Sequence, residues 1–190
     1  MKLYYVISFI ILLQFEDGYS QNQIGEGQME AVFEGLNTKA LMNILTSSET
    51  TNNDLQKLLE FKIPIYHPLL KSCKINSTFG KRIHPILKKV KFHTGIDLKT
   101  SLNQSVYATA DGEVIEIGCQ AGLGNFIKIK HLLGFETIYG HLNNINVAIN
   151  DKVYQGQTIG FCGSTGSSTG VHLHYSVLRF KGFINPLWVM

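Results

Sequence analysis

Between residues 106 and 178 glycine or an Asn/Asp pair interrupts the chain every few residues, and the stretches between are rich in β-branched and aromatic side chains. The segments 106–109, 113–117, 126–130, 135–139, 158–162 and 171–178 are each too short for a stable helix. Turn signals separate them at Asp111-Gly112, residues 122–125, Gly134, Asn143-Asn144, Asn150-Asp151 and the Gly/Ser/Thr run 163–170. Short strands at this spacing, with no helix between them, predict an all-β domain built on an antiparallel sheet, sandwich-like or barrel-like.

The chain ahead of residue 66 has a different texture. Met29, Val32, Phe33 and Leu36 follow the i, i+3, i+4, i+7 period of an amphipathic helix, and Leu41, Ile44 and Leu45 continue it. After a turn cluster at 47–53, Thr51 or Asn52 can cap a short helix carrying Leu55, Leu58 and Leu59. Residues 21–28 are a polar lead. At the start, Lys2 precedes an apolar run from residue 3 to 15, then polar and small residues to Ser20. A run of about 13 apolar residues suits the core of a signal peptide and falls short of the ~20 that span a bilayer. Gly18-Tyr19-Ser20 is an imperfect cleavage site, so an uncleaved anchor is the competing reading; no cysteine stands nearby to carry a lipid. The division expected is a signal peptide over 1–20, a lead with short helices over 21–65, and the β-rich domain over 66–190. The protein is then exported, periplasmic or extracellular, and has no membrane span after signal cleavage.

Composition narrows the partners. A net charge of +3, from 17 basic and 14 acidic residues, is too mild for a nucleic-acid binder. The densest basic cluster, Lys88, Lys89 and Lys91, reads as a solvated loop. Cys73, Cys119 and Cys162 are odd in number and lack Cys-x-x-Cys spacing, so they read as small buried apolar residues, with one disulfide plus a free thiol as the alternative.

Chemistry concentrates in the histidines. His172-Leu173-His174 sits in an alternating run, so the two imidazoles share a strand face with stems roughly 6.6–6.8 Å apart. Val171, Leu173, Tyr175 and Val177 form the opposite face, which predicts a strand with one side in the core and its histidines turned to a cleft. In 135–141 the odd residues Phe135, Thr137, Tyr139 and His141 fall on one face. His93 and Asp97 add an imidazole and a carboxylate four residues apart, and together the two segments offer the N and O ligands zinc prefers, with one histidine to spare. Gly95 suggests a tight bend turning His93 and Asp97 to one point; a helix would also bring i and i+4 together. His67 and His131 read as ordinary hydrogen-bonded residues, and His84, before Pro85, as a loop residue.

The segments FGKRIHPI (79–86), HTGIDL (93–98), YGHL (139–142), IGFCGSTGSSTGVHLHY (159–175) and NPL (185–187) resemble the lysostaphin-type zinc metallopeptidases, a family composed mostly of peptidoglycan endopeptidases. The likeness covers residues 66–188, with the motifs in family order. It implies that His93, Asp97 and His174 bind zinc, and that His141 and His172 are unliganded catalytic histidines flanking the metal and its water. Three protein ligands leave a fourth position open, as catalytic zinc requires. One histidine can then take a proton from water while the other stabilises the oxyanion or protonates the leaving amine; the sequence does not say which does which.

The chain departs from the family at Asn103-Gln104-Ser105-Val106, where relatives often carry Gly-x-Pro-Val, and the helical part shows no recognisable match. The function implied is an exported zinc endopeptidase acting on peptide stems or cross-links of peptidoglycan. Two alternatives stand beside it: an inactive wall-binding or hydrolase-activating module of the same fold, and a metallopeptidase directed at a protein.

Overall fold

The computed structural model describes residues 61–70, 73–83 and 89–190. The expected signal peptide, polar lead, most of the helical segment, and His84 lie outside the described residues. Phe61–Met190 form one compact unit. Ile63 is fully buried within it, and the Asp111 amide donates to the Phe61 carbonyl at 2.6 Å.

The unit is antiparallel β throughout, with short 3-10 turns at Leu132–Gly134 and Pro186–Trp188. Its strands are β1 Ile75–Ser77, β2 Gly80–Ile83, β3 Val90–His93, β4 Ile96–Lys99, β5 Ser105–Tyr107 and β6 Gly112–Gln120. They continue as β7 Gly124–Lys130, β8 Phe135–Ile145, β9 Lys152–Val153, β10 Thr158–Cys162, β11 His172–Arg179 and β12 Gly182–Ile184. The main sheet runs β1-β4-β11-β8-β7-β6-β9. β10 joins β5 to the far end of β8, β12 pairs with β11, and β2 and β3 form a separate hairpin. All six segments expected from the sequence contain strands. The expectation of an all-β antiparallel domain holds.

Register sorts the side chains into two faces. Tyr175 pairs with Ile96 on one side and Tyr139 on the other, and Tyr139 pairs with Ile127. Partners across a ladder share a face, so Ile96, Leu98, Leu173, Tyr175, Val177, Tyr139, Ile127 and Ile129 line the core side; all are fully buried. The aromatic hydroxyls buried there are satisfied. Tyr139 Oη accepts from the Thr109 amide at 3.1 Å, and Tyr175 Oη donates to Thr109 Oγ1 at 3.1 Å. Without such partners each hydroxyl would cost about 1–3 kcal/mol to bury.

The other face of β11 is also partly covered. His174 and Ser176 retain 5% and 1% of their accessible surface, while His172 and His174 both line a cleft, as expected from the strand pattern. The cover is the β3–β4 turn, which packs on β11 so closely that a Cβ on Gly95 would overlap the Tyr175 carbonyl and lie 2.6 Å from Ser176 Oγ. Gly95 is needed for this close approach.

Candidate active site

Strand ends and loops bring the five expected residues to one cleft. His93 ends β3, Asp97 lies in β4, His141 in β8, and His172 and His174 in β11. The His93–Asp97 spacing is therefore a turn between two strands. Asp97 and His174 are register partners on adjacent strands, so their side chains share a face at short range.

His141 reaches the site by a break in the strand. Tyr139 and Leu142 of β8 oppose Ile127 and Asn125 of β7, three steps against two, so β8 carries an extra residue here. The His141 backbone has φ +61°, in the left-handed region. Such a bulge re-aims the side chains beyond it. Tyr139 therefore stacks on Tyr175 at 5.4 Å on the core side, whereas His141 lies 4.4 Å from His172 and 6.0 Å from His174, between ring centroids. Simple alternation, which put His141 on the Tyr139 face, fails at this point. The His141 amide donates to the Leu123 carbonyl at 2.6 Å and fixes the bulge.

Three potential ligand atoms form a near-equilateral triangle. His93 Nε2 is 3.1 Å from His174 Nδ1 and 3.1 Å from Asp97 Oδ1, and His174 Nδ1 is 3.0 Å from the same oxygen. His93 Nδ1 donates to the Thr78 carbonyl at 2.8 Å. The neutral ring then presents the Nε2 lone pair to the triangle. His174 is held from behind by Ser176, with Nε2 2.9 Å from Oγ. Such outer partners fix ring orientation and tautomer in metal sites. A tetrahedral ion with bonds of about 2.0–2.1 Å separates its ligand atoms by about 3.3–3.4 Å, so a slight opening of this triangle makes one tetrahedral face. Lone pairs crowded this closely repel one another until a cation joins them. The donor set therefore fits a zinc-like ion: two imidazole nitrogens, one carboxylate oxygen and a fourth side open to the cleft.

Charge follows the same geometry. Burial pushes the Asp97 carboxyl up, but the His174 and His93 rings outweigh it and hold the group well below the usual carboxylate range. Burial pushes His174 down against the pull of Asp97. His141 is driven down to about 4, chiefly by burial, against the upward pull of the Thr165 carbonyl.

The remaining two rings are both anchored at Nδ1. His141 Nδ1 donates to the Thr165 carbonyl at 2.7 Å, and His172 Nδ1 to the Gly170 carbonyl at 2.7 Å. As neutral rings both turn Nε2 toward the cleft, where the His172 atom stands 3.7 Å from Asp97 Oδ1. The loop 163–170 supplies both anchors and is stitched to the β6–β7 turn: Ser167 Oγ donates to the Ala121 carbonyl at 2.9 Å. A Cβ on Gly166 would lie 2.6 Å from Gly124 Cα, and both glycines have positive φ.

Arg82 escaped the sequence reading. Its Nη2 lies 3.2 Å from Asp97 Oδ2, a contact that no spacing signal announces. The other two described histidines stand apart. His67 Nδ1 accepts from the Leu69 amide at 3.1 Å, and His131 is buried between the Asp111 carbonyl and Thr137 Oγ1. The cysteines take no part. Cys162 is buried, Cys73 is half-buried and Cys119 is exposed, so only Cys162 matches the expectation of a buried apolar residue. Burial pushes its thiol up to about 11.

Comparison with known proteins bears on the same region. Residues 91–186 match the model of Peptidase family M23. The DD-carboxypeptidase/endopeptidase Mpg of Neisseria meningitidis serogroup B is 45% identical over 117 residues, covering 61% of this chain and 27% of that protein. The chain thus spans about a quarter of that relative's length. A zinc-containing peptidase from Vibrio cholerae superposes with a TM-score of 0.61 at 37% identity, over 67% of this chain and 40% of the other. The catalytic domain of lysostaphin from Staphylococcus simulans gives 0.55 at 30% identity, over 60% and 90%.

Proposed function

The chain belongs to peptidase family M23, and on that premise we propose that it is an exported zinc-dependent endopeptidase that cuts peptide bonds in the stems or cross-links of peptidoglycan. The observation that carries this reading is the convergence of His93, Asp97 and His174 on one 3.0–3.1 Å triangle, with His141 and His172 beside it. Export rests on the apolar run that follows Lys2.

In this reading His93 Nε2, His174 Nδ1 and Asp97 Oδ1 hold the ion. Zinc supplies a Lewis acid that polarises the scissile carbonyl and makes water acidic enough to react near neutral pH. His172 Nε2 accepts the proton of the attacking water, because its Nδ1 proton is committed to the Gly170 carbonyl. The same nitrogen returns that proton to the leaving amine. His141, held by Leu123 and Thr165, turns a second unprotonated Nε2 to the cleft, and this nitrogen accepts a hydrogen bond from the attacking water and helps to orient it. The loop carbonyls and the bulge set both rings before substrate arrives, so little reorganisation is needed.

The test is incubation of the zinc-loaded full chain with purified sacculi, followed by chromatography of the soluble fragments. New amine termini inside peptides, lost on chelation, are expected. New sugar reducing ends, or no release with zinc bound, would overturn the proposal.

A further inference from the structure

The β2–β3 hairpin sets two cations directly opposite each other, since Arg82 and Lys91 are register partners. Partners on an antiparallel pair share a face, and like charges placed so repel. A cost of this kind calls for a compensating anion. Both side chains line the cleft of about 500 Å³ that holds the five site residues. Among the described residues Asp97 is the only carboxylate in that lining. Its Oδ2 faces Arg82 and its Oδ1 faces His93 and His174, so both oxygens are engaged. No carboxylate lies within ion-pair distance of Lys91 among the described residues. Arg82 has further N–H donors beyond the one on Asp97, arranged as a fork that matches a carboxylate.

We infer that Arg82 and Lys91 form a subsite for a free carboxylate of the peptide substrate, adjacent to the amide that is cut. The inference rests on the peptidase reading above. Arg82 is separated from the ligand triangle only by the width of the Asp97 carboxylate, so an anion held there sits within about one residue of the reacting bond. A direct cross-link formed on a diaminopimelate amine fits, because the carbon next to the scissile nitrogen carries a carboxylate. A glycine bridge offers no such group.

The experiment compares three substrates with the zinc-loaded full chain: a D-alanyl–diaminopimelate cross-linked muropeptide dimer, its twin with those carboxylates amidated, and pentaglycine. The dimer is expected to show a KM about tenfold below the twin, the size of one charge-assisted contact at a half-exposed site. That ratio falls as sodium chloride is raised, because an exposed lysine is screened. Lys91→Gln, an exposed substitution that leaves the fold intact, raises the KM for the dimer toward that of the twin, and Lys91→Glu raises it further. Equal KM values for dimer and twin, or an unchanged ratio in Lys91→Gln, would overturn the subsite. The affinities of dimer and twin are also measured by calorimetry on the zinc-loaded His172→Ala chain. If none of the three substrates is cut, the peptidase reading fails, while a calorimetric ratio near one independently overturns the subsite and a tenfold ratio upholds it.

Discussion

Lowering the pH from 7 to 5 is expected to remove about 2 kcal/mol of stability through one residue, His131. The ring retains 5% of its accessible surface. Its Nδ1 donates to the Asp111 carbonyl at 2.9 Å, and its Nε2 accepts from Thr137 Oγ1 at 2.7 Å. Thr137 Oγ1 in turn lies 3.1 Å from Tyr139 Oη. Both nitrogens are used by the neutral ring, and the charge of a second proton would be buried without a counter-ion in contact among the described residues. Burial lowers the folded pKa from 6.5 to about 4, against weaker upward pulls from Asp111 and Glu136. The unfolded chain therefore binds more protons than the folded one as pH falls from about 6.5 to about 4. Stability is fully present above that window and is lost on descending through it. The gap is worth about 3 kcal/mol in full, of which about 2 is spent by pH 5. The assay is urea unfolding of the metal-free full chain at several pH values, in wild type and in His131→Gln, whose amide keeps a donor and an acceptor. Wild type should lose about 2 kcal/mol more than the variant between pH 7 and 5. Identical pH slopes, or a His131 ring resonance titrating near 6.5 in the folded protein, would refute the reasoning.

Other expectations follow from the packing and the site. Tyr139→Phe leaves the Thr109 amide unpaired in the core and should cost about 1–3 kcal/mol by denaturant midpoint; a neutral result would mean water replaces the hydroxyl. Gly95→Ala forces β4 away from β11 and should destabilise by about 1–3 kcal/mol, with weaker metal binding in a chelator competition; unchanged zinc affinity would contradict the close packing. Under the proposed roles, His93→Ala and Asp97→Ala lose the stoichiometric zinc found by elemental analysis. His172→Ala keeps the metal and loses turnover by roughly 10²–10⁴-fold. An active His172→Ala enzyme would end that assignment.

Much of the architecture was readable because its signals are local. The segments around Ile127, Tyr139 and Tyr175 alternate or run apolar between glycines, and each contains a strand. The strands left out are short ones. β1 is three residues long, and β12 follows a turn at Phe180 and Lys181, both at positive φ without the Asn-Gly signal of such hairpins. Arg82 was out of reach for another reason: its contact with Asp97 spans 15 positions, and a separate hairpin decides it.

The sequence by itself determined the all-β class, a set of side chains of metal-ligating type and the loop of small residues beside them, because periodicity, turn chemistry and donor type are written locally. Only the tertiary structure decided how these act together. It placed Asp97 against His174 by strand register and moved His141 across the sheet by one extra residue in β8. It packed the Gly95 turn over His174 while keeping both His172 and His174 on the cleft wall. It also set two cations on the wall beside them. Each of these depends on pairing between distant strands, where one residue of register exchanges core for cleft.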